Sequence, residues 1–238
     1  DEKLSYPGIA KYAVKALATD QLSGSEPRMS CIAHRKYVSI FNPHSGVWEE
    51  RRADNPAWAA YNLLNQYGKI DHSRLIYDDF EDWANYCAEE VDGEPRFQIN
   101  IVFDSASSVW ASVQRIADAA RARILRKGAK YGVFVDKPES QVTHLFNVGN
   151  IVEDSFTLQY LPRKDRANAV EVTYVDPERD YSNQIVGVYS KDYKNSLNVE
   201  KKSSVKVNAA IPRSQAVREA AFMLNSNKYL SRIIEFEA

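Results

Sequence analysis

The chain has 238 residues, with 31 basic and 32 acidic side chains and a formal net charge of −1 at pH 7. This balance argues against a general nucleic-acid-binding protein, and the apolar runs are too short to span a membrane. The composition, 44% apolar and 26% charged, is typical of a folded globular protein of one large or two small domains.

The first part of the chain is predicted to be rich in strands. Alternating residues predict weak strands over 10–18 and 29–40, and the stretch 42–54 is expected to be a loop. The chain begins without methionine or a leader sequence and stops inside the apolar run 233–236. We therefore expect it to be a piece of a longer polypeptide.

Helix signals follow from residue 55 onward. Asn55 and Pro56 supply an N-cap and a first-turn proline for a helix that ends near Gly68. The second helix is expected to open at Asp78 or Asp79. The third is expected to run from Ser107 to a C-cap at Gly128. Their apolar stripes are Phe80, Trp83, Ala84, Cys87 and Val91, and Val109, Trp110, Val113, Ile116, Ala120 and Ile124.

Period-two alternation predicts strands elsewhere. Weaker strands are expected over 185–189 and 204–210, an exposed loop or a mobile hairpin tip over 191–204, and a fourth helix from Pro212 and Arg213. Because the strand signals are mostly antiparallel and about four helices interrupt them, the predicted fold class is α+β, with β-rich domains. The clearest alternating sets are Phe97, Ile99, Ile101 and Phe103; Tyr131, Val133 and Val135; Phe156, Leu158 and Tyr160; and Val170, Val172 and Tyr174.

The element order divides the chain into three stretches. Residues 1–54 and 151–211 are predicted to form a strand-rich domain, and 55–150 a helix, helix, strand, helix and hairpin module. Residues 212–238 are predicted to be a helix that leads into a following domain.

Signatures of enzymes are missing from the sequence. It contains no GxGxxG, GxxxxGK[ST], GxSxG or HExxH motif. Asp71, His72 and Ser73 are the residue types of a catalytic triad, but neighbours in one turn cannot converge as a triad requires. We therefore expect no catalytic residue, no cofactor and no metal ligand. Structural or surface roles are expected for all four histidines, His34, His44, His72 and His144.

Three acidic pairs could in principle supply the acid and base of a glycosidase, and solvent-exposed or helix-start roles are favoured for each. A cationic flank on the third helix is interpreted as a solvated face, with contact to an acidic protein or to nucleic acid as the alternative. Both cysteines, Cys31 and Cys87, are expected to be buried, unreactive thiols. The acidic pairs are Glu49-Glu50, Asp78-Asp79 and Glu89-Glu90, and the flank is Arg115, Arg121, Arg123, Arg126 and Lys127, followed by Lys130.

Several short motifs occur in an order that resembles the protein J family of tail-tip attachment (host-specificity) proteins of lambda-like siphophages. The resemblance spans nearly the whole chain and is clearest over 54–230. The motifs are Gly46-Val47-Trp48, Asp54-Asn55-Pro56-Ala57-Trp58, Tyr67-Gly68, Trp83 to Cys87, Glu94-Pro95-Arg96, Trp110 with Val113, Ala169-Val170-Glu171-Val172, Val175-Asp176-Pro177 and Arg213-Ser214-Gln215-Ala216.

The resemblance implies a structural, non-enzymatic part of a phage or prophage virion. Such hub proteins form homotrimeric rings at the tail tip, contact other tail-tip proteins and the tail tube, and meet DNA only as it passes through the channel. This implies synthesis in the bacterial host cytoplasm and a final place in the tail tip. The chain departs from the family in a short loop between Trp48 and Asn55 and in lacking the long C-terminal region that carries receptor recognition.

Two alternatives stay open. One is a cell-wall hydrolase carried on the tail, which would need two carboxyl groups about 5–10 Å apart in a cleft. The other is a baseplate hub of a contractile injection machine or of a type VI secretion spike, which differs in the machine rather than in the physics.

Overall fold

The structure is a computed structural model that describes residues 15, 32, 34–103, 105–139, 141–142, 144–160, 166–191 and 200–238. The chain divides into two units, Asp1–His34 and Arg35–Ala238. The first unit lies almost entirely outside the described residues, as do the predicted strand over 10–18 and Cys31. The fold below is that of the second unit.

Helices and strands are interspersed along this unit, which confirms the predicted α+β, β-rich class. The described helices are α1 (Pro56–Asn62), α2 (Tyr77–Ala88), α3 (Val109–Asp118) and α4 (Arg213–Tyr229), with a π-helix (Leu63–Tyr67) and a 3-10 helix (His72–Arg74). The described strands are β1 (Tyr37–Asn42), β2 (Val47–Arg52), β3 (Glu90–Val91), β4 (Glu94–Pro95), β5 (Ala122–Lys127), β6 (Lys130–Val135), β7 (Thr157–Tyr160), β8 (Ala169–Asp176), β9 (Ser182–Tyr189), β10 (Lys202–Ala210) and β11 (Arg232–Glu235).

The strands form small sheets. Antiparallel pairs join β1 to β2, β3 to β4, β5 to β6 and β7 to β11. A three-stranded sheet has the order β10-β8-β9, in which β9 is antiparallel to β8 and β10 is parallel to it. The prediction of mostly antiparallel strands is confirmed, with the β8–β10 pair as the parallel exception.

The first predicted helix is confirmed at its start and lengthened by a wider turn. The side chain of Asn55 accepts a hydrogen bond from the Ala57 backbone at 3.0 Å, and Pro56 occupies the first turn. The π-helix then carries the chain to Gly68, whose backbone donates to the Leu63 carbonyl at 2.9 Å. The second helix begins one residue earlier than predicted, at Tyr77, and ends before Val91, which lies in β3.

The prediction that the third helix reaches Gly128 is wrong. Helix α3 ends at Asp118, Arg121 has a positive φ of 51°, and the chain then forms the β5–β6 hairpin with Gly128 in its turn. Ile124 fits both patterns, because it follows Ala120 at the helical i, i+4 spacing and alternates with Ala122 as in a strand. The positive φ at Arg121 ends the helix, because an L-residue rarely adopts that conformation inside one.

The predicted strand over 97–103 is also absent. Phe97 and Ile99 are buried as expected, but the backbone N–H groups of 97–100 bond to four separate acceptors instead of one neighbouring strand. These acceptors are the carbonyl oxygens of Cys87, Asp54 and Ala210 and the side-chain oxygen of Gln215. The segment is therefore an extended connection held by several elements.

Two predicted loops contain strand structure. Residues 42–54 include β2, so the alternating Glu49 and Arg51 belong to a hairpin. Strand β10 begins at Lys202, inside the loop predicted over 191–204, and residues 192–199 of that loop lie outside the described part of the chain.

One apolar core joins these elements. Helix α4 packs on β8 and β9, and α1 packs on α2, α3 and β1. Val170, Val172 and Tyr174 of β8 are fully or almost fully buried, as their alternation predicts. The predicted β7 is present, but its apolar residues Leu158 and Tyr160 are exposed.

Candidate functional site

The contacts of His72 and its neighbours are those of a structural turn. The Asp71 carboxylate accepts hydrogen bonds from the Ser73 backbone at 2.9 Å and the Ser73 hydroxyl at 2.6 Å. These bonds lower the pKa of Asp71 and cap the 3-10 helix. The His72 ring stacks on Phe41 with a centroid distance of 4.0 Å, and its Nδ1 lies 4.0 Å from Asp71. The Ser73 hydroxyl donates to a carboxylate, so it is not oriented towards the imidazole as a nucleophile would be.

The predicted acidic pairs lie apart on the surface and bond to neighbouring groups. Glu49 accepts hydrogen bonds from Ser45 and Asn42, which lower its pKa. Asp79 accepts from Lys127 Nζ at 2.6 Å and from the Val133 backbone at 3.0 Å. These contacts connect α2 to the β5–β6 hairpin.

Glu89 forms the third of these contacts, with Arg96 at 2.8 Å. Each of these carboxylates therefore has a structural partner of its own. None of the three contacts places a second carboxylate opposite the first, as glycosidase chemistry would need.

His44, Asp78 and Glu81 come together where the β1–β2 turn meets the start of α2. His44 Nε2 lies 2.8 Å from Asp78 Oδ1, and one ligand atom from each of the three residues lies within 4.8 Å of the others. Sequence reasoning missed this cluster because His44 is 34 residues from Asp78. The i, i+3 spacing of Asp78 and Glu81 on one helix is the signal that could have been found.

The cationic flank does not lie on one helix. Arg115 belongs to α3, whereas Arg123, Arg126 and Lys127 lie on β5 and Lys130 on β6, because the helix ends before them. Arg121 is mostly buried. Its Nε donates to Glu219 at 2.9 Å and its guanidinium lies 3.7 Å from the centroid of the Phe222 ring.

Arg121 therefore connects the start of β5 to α4. The interpretation of the flank as one solvated helix face is wrong, because its cations are divided among α3, the mostly buried ion pair of Arg121 and the β5–β6 hairpin.

Cys87 lies inside the core on α2. Its side chain is fully buried, and this burial raises the pKa of the thiol. A thiol of this kind is a poor nucleophile, because the reactive thiolate is not formed at neutral pH.

An open cavity of about 510 Å³ lies beside β1 and the π-helix. Its lining contains two cationic side chains and no carboxylate, so it does not offer the acid and base of a hydrolase. The lining residues are Arg35, Ser39, Asn62, Gln66, Tyr67 and Lys69.

The β7–β11 sheet presents apolar side chains to solvent. In its register Ile234 is opposite Leu158 and Arg232 is opposite Tyr160, so these four side chains share one face. All four residues are exposed, and the exposed fraction of Ile234 is 51%. Phe236 extends this face and lies 4.6 Å from the Phe146 ring. A contiguous exposed apolar surface of this kind is typical of protein interaction sites.

None of the helices in the described part of the chain combines the length and the hydropathy needed to cross a bilayer.

Comparison with known proteins identifies similar chains. Tip attachment protein J of Escherichia phage SECphi27 is 23% identical over 206 residues, covering 80% of this chain and 17% of the relative. This chain thus spans about a sixth of that relative's length. A chain in the solved virion of a native gene transfer agent particle matches with a TM-score of 0.51 and 13% identity, covering 74% of this chain and 36% of that chain. At this identity the likeness concerns the fold alone.

A family model gives the broader assignment. The model described as "Putative phage tail protein" matches residues 108–238. This range includes the β5–β6 hairpin, the β10-β8-β9 sheet and α4. Because the match covers more than half of the chain, the protein belongs to this family of phage tail proteins.

Proposed function

We propose that this chain is a structural part of a phage or prophage tail tip, within a baseplate-hub ring that surrounds the channel for DNA delivery. The similarity to a tip attachment protein over 80% of the chain carries the proposal. The proposed location is the tail tip of the virion, after synthesis in the bacterial host cytoplasm.

The proposed assembly is a homotrimer that also contacts other tail-tip proteins and the tail tube. The exposed apolar face of the β7–β11 sheet supports a life in an assembly, since an isolated two-stranded sheet is only marginally stable in water. A net charge of −1 suits a channel wall that lets a polyanion pass without holding it.

Within this assembly we propose a mechanical role and no chemistry. Among the described residues, one carboxylate of each predicted acidic pair (Glu49, Asp79 and Glu89) bonds to a structural partner of its own, and the cavity has no carboxylate in its lining. A cell-wall hydrolase and a hub of a contractile injection or type VI secretion spike are the alternatives. We further propose that 1–54 with 151–211, 55–150 and 212–238 act as the separate parts of the hub.

Two variants on opposite faces of the β7–β11 sheet test the proposal. Ile234→Asp places a charge on the exposed apolar face, and Gln159→Asp places the same charge on the other face of the same sheet. Both residues are exposed, so both variant chains are expected to fold. We expect Ile234→Asp to reduce the yield of infectious particles at least about tenfold, because a buried unpaired charge disrupts an interface.

Circular dichroism of the purified variants checks folding, and electron microscopy of the particles locates the chain in the tail. Normal infectivity of Ile234→Asp would contradict burial of this face in the tail. A map that places the chain outside the tail tip, or in a ring without threefold symmetry, would overturn the hub assignment.

A further inference from the structure

The cluster of His44, Asp78 and Glu81 carries an inference beyond a mechanical role. We propose that these three side chains bind one divalent transition-metal ion, with Zn²⁺ as the expected ion, and that the ion joins the β1–β2 turn to α2. The proposal rests on their geometry and on the charge of α2.

The charge of α2 distinguishes two of its carboxylates from the other two. Asp79 is paired with Lys127 at 2.6 Å and Asp82 with Lys137 at 2.6 Å. Asp78 and Glu81 have no lysine or arginine within ion-pair distance among the described residues; Asp78 contacts only the His44 ring in this way. Like charges at i, i+3 repel each other on a helix surface, and a bound cation would remove this repulsion.

His44 is held in position by its own turn. Its backbone N–H donates to the Asn42 side chain at 2.9 Å, and the Gly46 N–H donates to the Asn42 carbonyl at 2.8 Å. Gly46 has a φ of 71°, which this tight turn requires. The imidazole is therefore presented to α2 from a separate, well-defined element.

Glu81 is oriented by a neighbour outside the cluster. The Tyr77 hydroxyl donates to Glu81 Oε1 at 3.0 Å, which leaves the second carboxylate oxygen available to an ion. The ring of Tyr77 also packs edge-on against His44, with centroids 5.6 Å apart. Hydrogen bonds of this kind orient metal ligands and strengthen binding.

The donor set indicates the class of ion. One imidazole nitrogen and two carboxylates suit zinc and similar transition metals, whereas magnesium and calcium favour sites made of oxygen alone. Ligand atoms around tetrahedral zinc lie about 3.3 Å apart, given bonds of about 2.0 Å. Their ligand atoms all lie within 4.8 Å of one another and the three side chains are at least partly exposed, so side-chain movements of up to about 1.5 Å bring them to this spacing.

Calorimetric titration of the whole 238-residue chain with ZnCl2 tests the site. We expect one ion per chain. His44→Ala and Glu81→Gln should each weaken the affinity at least about tenfold, since even partners outside the ligand shell cost this much. His144→Ala is the matched control, because His144 is exposed and lies outside the cluster.

Three results would overturn the site. They are no zinc binding by the unsubstituted chain, equal binding by His44→Ala, and an equal loss in the His144→Ala control. Displacement of zinc by an equal concentration of MgCl2 would contradict the proposed class of ion. Because these are measurements of binding by the isolated chain, they are independent of the proposed place in the tail.

Discussion

Trp83 is the largest of the fully buried side chains in the described core. It lies in the middle of α2, where the apolar stripe of the sequence predicts it, and its indole Nε1 has no hydrogen-bond partner among the described residues. The ring therefore contributes through packing. The sequence alone identifies Trp83 as a core residue, because the apolar stripe stays the same when the predicted start of the helix is wrong by one residue.

Truncation of Trp83 is expected to be costly. Trp83→Ala should lower the free energy of unfolding by roughly 3–5 kcal/mol, because it removes a large buried ring and leaves a cavity. Trp110→Ala is the matched control, since Trp110 is 41% exposed, and it should cost less than about half as much. Urea melts of both variants measure the difference. A loss below about 1 kcal/mol for Trp83→Ala would show that the packing is misassigned.

Tyr61 predicts an alkaline decrease in stability. Burial raises its pKa to about 12, whereas an exposed tyrosine in the unfolded chain ionises near pH 10. A raised folded pKa contributes stability that is complete below pH 10 and is lost as the pH rises to about 12. Tyr61→Phe should remove about 2 kcal/mol of this decrease, as measured by denaturant melts between pH 9 and 12.

Tyr67→Phe provides the comparison, because Tyr67 is exposed and should leave the alkaline decrease unchanged. If Tyr61→Phe shows the same decrease as the unsubstituted chain, the phenol ionises without unfolding.

At the scale of elements, the sequence predicts the starts of helices better than their ends. Asn55 with Pro56 marks the start of α1 because the cap is a local hydrogen bond. The end of α3 could not be found in this way, since Ile124 fits both the helical and the strand period, and no local signal marks the positive φ of Arg121. The strand prediction for residues 97–103 is wrong for a similar reason, because their alternating apolar side chains are packed between several elements and not on one face of a sheet.

Asn55 links two helices. Its Oδ1 caps α1, and its Nδ2 donates to the Ala84 carbonyl of α2 at 3.0 Å. Asn55→Ala should therefore cost about 2 kcal/mol, one for the cap and one for the second bond. Asn55→Asp keeps the cap and should cost about half as much. Equal losses for the two variants in urea melts would show that the cap contributes nothing, and no loss in Asn55→Asp would show the same of the bond to Ala84.

At the scale of the whole molecule, the order of the predicted helices and strands indicates the α+β class but not how the strands are paired. Strands β8 and β10 are neighbours in the sheet, although β9 lies between them in the sequence. No local sequence pattern indicates this parallel pairing. The same holds for the site of His44, Asp78 and Glu81, which depends on how a turn meets a helix. Distant contacts are fixed by packing, which short sequence windows do not contain.

The β7–β11 pair has a consequence for the order of folding. Thr157 and Glu235 face each other across 78 positions of chain, so their pairing must close a long loop. Contacts that close long loops generally form late, after local helices and hairpins are in place. The exposed apolar face would then be completed only in a nearly folded subunit. Late completion would prevent subunits from associating through this face before they have folded.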